Sequence, residues 1–286
     1  MVAIKKLPHR RWEVLRDLWI EYLPILDMSQ EFPGPTLWDL ASAAELFKNL
    51  QPDKELPYVE GIRESVFREI ILLARKFSYC RNVARQSIAQ GFPTWGVIAG
   101  YDACFYGAKA FCYLLGVVSV ERHSKLFLDI FVPRSYKSGK TRAEAFDILT
   151  AHRLDEHLTH KMLWDITSRL CRTLVLPDNA GDLGNNLREL DFEKISNFRN
   201  NLIYDGGFWL NRDDYDHCDL THRLSILSLV SASTGAADPR EVDHRYFYLA
   251  DKFKDALIYL LSDIGRLAPS IGAEVTALQD PMDVAA

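Results

Sequence analysis

The sequence predicts an all-α protein, a helical bundle, on three observations. Along most of its 286 residues the large apolar side chains recur at steps of three and four, as one buried helix face requires. The interruptions are centred on glycine and proline, in QEFPGPTLW, QPDKELP, GFP and STGAADP. No alternation of strand and helix of the kind that builds a parallel sheet is visible. A hydrophobic fraction of 48% against 26% charged residues is ordinary for a globular chain and excludes disorder.

The elements follow in order. In WEVLRDLWIEY, Trp12, Leu15, Leu18 and Trp19 form one apolar face, predicting a first helix. Thr36 caps a short helix through Leu50. A long helix is expected over 61–90, ended by Gly91 and Pro93, and another over 94–116, dense in small and aromatic residues (AGYDACFYGAKAFCYLLG). Thr141 and Glu144 make a capping box opening a helix through about 174, with room for an interruption. PDNAGDLGNN reads as a loop. Residues 187–204 look helical and DGG closes them; residues 213–219 form an acidic loop; 220–233 and 244–267 are helical; the chain from Pro269 is a loose tail.

A net charge of −5 excludes a generally basic nucleic-acid coat, though not a local basic cleft. The five cysteines (Cys80, Cys104, Cys112, Cys171, Cys218) are scattered without CxxC spacing, which argues against a disulfide framework or thiolate zinc site. MVAIKKLPHRRW lacks the apolar stretch of a secretion signal, and no run reaches the roughly 18–20 apolar residues of a membrane span. These features predict a soluble cytoplasmic protein.

Several motifs fail. SGKT (138–141) has the ending of a phosphate-binding loop, but Arg134 stands where the leading glycine belongs. His152, His157 and His160 fall on one predicted helix, yet no second ligand cluster is spaced to join them, so they read as solvated imidazoles. Asp213, Asp214, Asp216, His217, Asp219 and His222 are hard-cation ligand types without the glycine and spacing of a calcium loop. No metal or cofactor is expected.

LRELDFEKISNFRNNLIYDGGFW (187–209) carries the most chemistry. Phe192, Ile195, Phe198 and Leu202 form one apolar stripe, Arg199 projects near its middle, and Asn200 and Tyr204 lie on its flank. A guanidinium there must pair with a carboxylate, snorkel outward, or face a cleft or subunit interface. A rival reading makes LIYDGGFWL a hairpin turning at Asp-Gly, in which case Arg199 and Tyr204 share no helix. The apolar period running from Leu187 favours the helix.

Three features in this order resemble the HEPN superfamily of helical nucleotide-binding and ribonuclease domains. They are the long helix 64–90 followed by GYDACFYGAKAFCYLLG, the basic-His segment VERHSKLFLDIF, and FRNNLIY, which is similar to the family's Arg motif with a His four to six positions later. Tyr204 stands where the family has that His. The resemblance divides the chain into an N-terminal helical extension (1–60), a HEPN-like core (61–210) with an inserted helix at about 143–174, and C-terminal helices packing on the core with a loose tail (211–286). It implies a protein of a prokaryotic defence or toxin-type system, a metal-independent endoribonuclease acting as a homodimer. Arg199 would stabilise phosphorane charge, Asn200 orient the phosphate and Tyr204 donate a hydrogen bond; as a base a phenol is poor near neutrality. The alternatives are an inactive HEPN-like binding or assembly subunit, docked to a protein from a neighbouring gene, or an unrelated helical enzyme or ligand-binding protein using the Asp213–His222 stretch, with or without the histidines at 152–160.

Overall fold

A computed structural model describes residues 10–22, 54–57, 62–90, 93–119, 126–131, 148–153, 160–192 and 242–266. Its elements are β1 (Arg10–Arg11), α1 (Trp12–Tyr22), β2 (Lys54–Pro57), α2 (Ile62–Ala89), α3 (Pro93–Leu114), β3 (Val117–Ser119), β4 (Leu126–Asp129), β5 (Ile148–Arg153), α4 (His160–Thr173), β6 (Leu174–Val175), a 3₁₀ turn (Asp178–Ala180), α5 (Leu183–Arg188) and α6 (Val242–Gly265). Helices carry most of the described chain, so the fold is all-α with two short sheets attached.

Helix α3 is the centre of the bundle. Tyr101, Ala103, Cys104, Ala108, Ala110, Phe111, Cys112, Tyr113 and Leu114 are all buried, and its last two turns, 107–114, are enclosed on every side. Its small residues allow that enclosure. A Cβ at Gly107 would lie 3.0 Å from the Phe77 ring of α2 and 3.1 Å from Phe253 Cβ of α6, so the three helices meet at a point where only hydrogen fits without adjustment. Helix α2 packs Val66, Phe67, Ile70, Ala74 and Phe77 inward, and α6 contributes Tyr246, Leu249, Phe253, Leu257, Leu260 and Ile264. Both sets follow the helical period, each fully buried large side chain contributing about 1.5–3 kcal/mol.

Helix α1 begins at Trp12 as its apolar pattern predicts, and it closes the same core. Trp19 is fully buried, donates its indole N–H to the Leu114 carbonyl at 2.8 Å, and meets Phe67 and Phe131 edge-on. Trp12 donates to Asp263 at 2.9 Å, fastening α1 to the end of α6.

At the end of α3, Gly116 adopts φ +82°, and its N–H bonds the Tyr113 carbonyl at 2.8 Å. A side chain there would be strained, and its Cβ would meet the Phe131 ring at 2.5 Å. The turn feeds a four-stranded antiparallel sheet in the order β2-β5-β4-β3, with Val117 opposite Asp129, Leu126 opposite Arg153 and Lys54 opposite Ala151. β1 and β6 pair in parallel, Arg10 opposite Leu174. Arg10 and Asp129 form an ion pair buried on both sides, and Arg10 also donates to the Phe131 carbonyl at 3.3 Å.

Three sequence expectations need correction. The helix expected to run from Thr141 through 174 does not pass through residues 148–153, which are a central strand; α4 covers its last part, His160–Thr173. ILTAHR is too short for its period to separate helix from strand, and pairing on both edges decides it. VVS and LFLD in the presumed connecting segment are also strands: LFLD pairs on both edges and VVS, at the sheet edge, pairs with LFLD. The loop PDNAGDLGNN contains the 3₁₀ turn and most of α5, which ends at Arg188, so the helix expected from Leu187 is broken at 189–192. The expected helices at 36–50 and 220–233 lie outside the described residues.

Candidate functional site

Arg199, Asn200 and Tyr204 lie outside the described residues, as do the Asp213–His222 stretch and His157. Of the three histidines expected on one helix, His152 belongs to β5 and His160 opens α4. Among the described residues no three His, Cys, Asp or Glu side chains are grouped to hold a metal ion.

What the structure does bring together is a tyrosine–histidine pair at the corner of α3 and α4. Tyr101 is fully buried, with its hydroxyl 2.6 Å from Nδ1 of His160. The phenol is fixed by Tyr246 (centroids 5.4 Å apart) and Trp164 (6.1 Å), both edge-on. One turn further along α3, Phe105 lies 4.4 Å from the imidazole centroid. His160 itself is exposed. Its position is fixed because α4 is strongly amphipathic, burying Leu163, Trp164, Ile166, Thr167, Leu170 and Cys171, while its N-terminal residue packs on Phe105 of α3 and stays exposed.

The hydrogen bond restricts the imidazole. Either the phenol donates to Nδ1 and the neutral ring carries its proton on Nε2, or Nδ1–H donates to the phenol oxygen and Nε2 is basic. Both arrangements orient the ring through a buried partner, and the second leaves Nε2 able to accept a proton.

The same corner anchors the chain that leads to Arg199. Phe192, the first residue of the predicted apolar stripe, stacks on Trp164 (5.9 Å, 19° between planes) and contacts Phe253 at 6.2 Å. Other charged clusters are occupied in holding the bundle. Arg81 donates twice to Asp251, at 2.7 and 3.1 Å, joining α2 to α6. Asp263 accepts from Trp12, Arg16 and Arg266. Burial alone would raise its carboxyl; those hydrogen bonds and the Arg16 charge outweigh it and hold the group below the ordinary carboxylate value.

The cysteines are poor nucleophiles where they are described. Burial pushes the Cys112 thiol up to about 12, opposed only by its hydrogen bond with Thr167, and raises Cys104 and Cys171 strongly as well.

In the sequence His160 stands out as a metal-ligand candidate and as a chance Arg/His pair with Arg153, not as a partner of Tyr101. Tyr101 and His160 are far apart in sequence, and no spacing rule links them. A weak signal was available: His160 immediately precedes the amphipathic run of α4.

No protein-family model, curated protein or solved structure matches the chain.

Proposed function

We propose that the chain is a HEPN-like protein of a prokaryotic defence or toxin-type system, a metal-independent endoribonuclease that acts as a dimer. The observation that carries this reading is the oriented imidazole of His160, held at 2.6 Å by the buried Tyr101 hydroxyl. The motif FRNNLIY supplies cation, amide and phenol through Arg199, Asn200 and Tyr204 but no imidazole. His160 supplies the missing acid–base group. Phe192, seven positions before Arg199 in sequence, packs on Trp164, and seven residues of chain reach at most about 25 Å.

In the proposed reaction His160 accepts the proton of a ribose 2′-OH as that oxygen attacks the neighbouring phosphorus. The bond to the 5′-oxygen breaks, leaving a 2′,3′-cyclic phosphate, and water protonates the departing alkoxide. Arg199 stabilises the charge gathering on the non-bridging oxygens, Asn200 orients the phosphate and Tyr204 donates a hydrogen bond. RNA cleavage by purified protein in EDTA, lost in Arg199→Ala, tests the proposal.

A second reading, an inactive HEPN-like binding or assembly subunit, is favoured by Tyr204 at the motif's histidine position and by the net charge of −5. Under it, Arg199→Ala leaves growth arrest on expression unaltered and a stoichiometric partner is recovered with the protein.

A further inference from the structure

We infer that a strip crossing α2, α3 and α4 is a track for single-stranded RNA, leading to His160. The inference rests on the reading above for the polymer, but not on its being cut. Tyr79 of α2 is 70% exposed, the most exposed large apolar side chain among the described residues, and Leu72 on the same helix is 40% exposed. Lys76 lies between them, four residues after Leu72 and three before Tyr79, so the three share a face. From Lys76 the contacts run without a break toward the imidazole. Its Nζ lies 5.5 Å from the centre of the Tyr106 ring, Tyr106 meets Phe105 edge-on at 5.7 Å, and Phe105 lies 4.4 Å from His160.

Single exposed aromatic residues are common on protein surfaces. Here a cation and two half-buried rings form a continuous chain of contacts that ends at a group able to move a proton. Rings of this kind receive bases by stacking whatever their identity, and the cations pair with the backbone between them. Lys76, Arg75 and Lys161 are exposed cations on or beside the strip. Asp102 is an opposing charge: it lies near enough to Cys80, alongside Lys76, for both to act on that thiol. The sign of its effect on a polyanion is therefore a test in itself.

The experiment is fluorescence anisotropy in EDTA with a labelled 2′-O-methyl oligouridylate of about twelve nucleotides, which binds without being cut. Wild-type protein is expected to bind, and Tyr79→Ala to bind about tenfold more weakly. Lys76→Ala should lower the log–log salt slope by about 0.7, and Asp102→Asn should tighten binding. Trp95 is 61% exposed on α3 but about 16 Å along the helix from Tyr106, so Trp95→Ala should bind as wild type does. Tyr79 and Lys76 are surface residues whose truncation leaves the core intact. Absence of binding, indifference to both substitutions, or an equal loss in Trp95→Ala overturns the track. Binding on the track without cleavage of unmodified RNA supports the track and overturns only the nuclease.

Discussion

Tyr101 and His160 belong to different helices, yet a 2.6 Å hydrogen bond joins the buried phenol of one to the exposed imidazole of the other. The orientation of the imidazole is thereby set by the packing of the bundle. Tyr246, Trp164 and Phe105 fix the pair from three further positions.

His160→Ala should lower the RNA-cleavage rate by about 10²–10⁴-fold, the usual contribution of one acid–base group. Tyr101→Phe keeps the ring but frees the imidazole, and should cost about tenfold in rate and displace the pH–rate profile. Steady-state kinetics across pH checks this. Loss of thermal stability with an unmoved profile would assign Tyr101 to structure alone.

Trp12→Phe removes a hydrogen bond to the nearly buried Asp263 carboxylate and should destabilise the fold by about 1–3 kcal/mol in urea titrations at neutral pH. Asp263 has a lowered pKa in the fold, so its contribution is complete above the ordinary carboxylate range near 4 and is lost as pH falls through the lower folded value. With Trp12 gone, burial is less well opposed and the folded pKa rises. Stability measured against pH should then begin to fall at a higher pH in the variant.

Asp129→Ala leaves the Arg10 guanidinium buried without its carboxylate and should cost about 3–5 kcal/mol. The double replacement Arg10→Met with Asp129→Leu should be far less damaging than Asp129→Ala, because no lone charge is then buried. Chemical denaturation of the three proteins checks the order.

Alkylation by iodoacetamide should spare Cys104, Cys112 and Cys171 in the native protein and modify half-buried Cys80 first among the four described cysteines. Burial lifts the thiols of the first three strongly and that of Cys80 less, leaving little thiolate to react. Peptide mapping before and after urea unfolding provides the measurement.

The helices that the sequence makes legible are those with long amphipathic patterns. The boundaries of α1, α2, α3 and α6 fall within about two residues of those expected, because an apolar stripe of three or more turns has only one economical burial. The sheet was hidden for the opposite reason: VVS, LFLD and ILTAHR are short, and what makes them strands is one another, across gaps that no local pattern bridges. The partnership of Tyr101 with His160 is invisible on the same ground. Phe192 was legible as an apolar anchor, although the helix drawn through it is interrupted there.

The most direct measurement is the fate of a defined RNA incubated in EDTA with purified wild-type, Arg199→Ala and His160→Ala proteins, each verified as folded by circular dichroism. Cleavage with 2′,3′-cyclic phosphate ends is expected from the wild type, with a loss of about 10²-fold or more in both variants. Undiminished cleavage by His160→Ala, or turnover that appears only when a metal ion is restored, would contradict it.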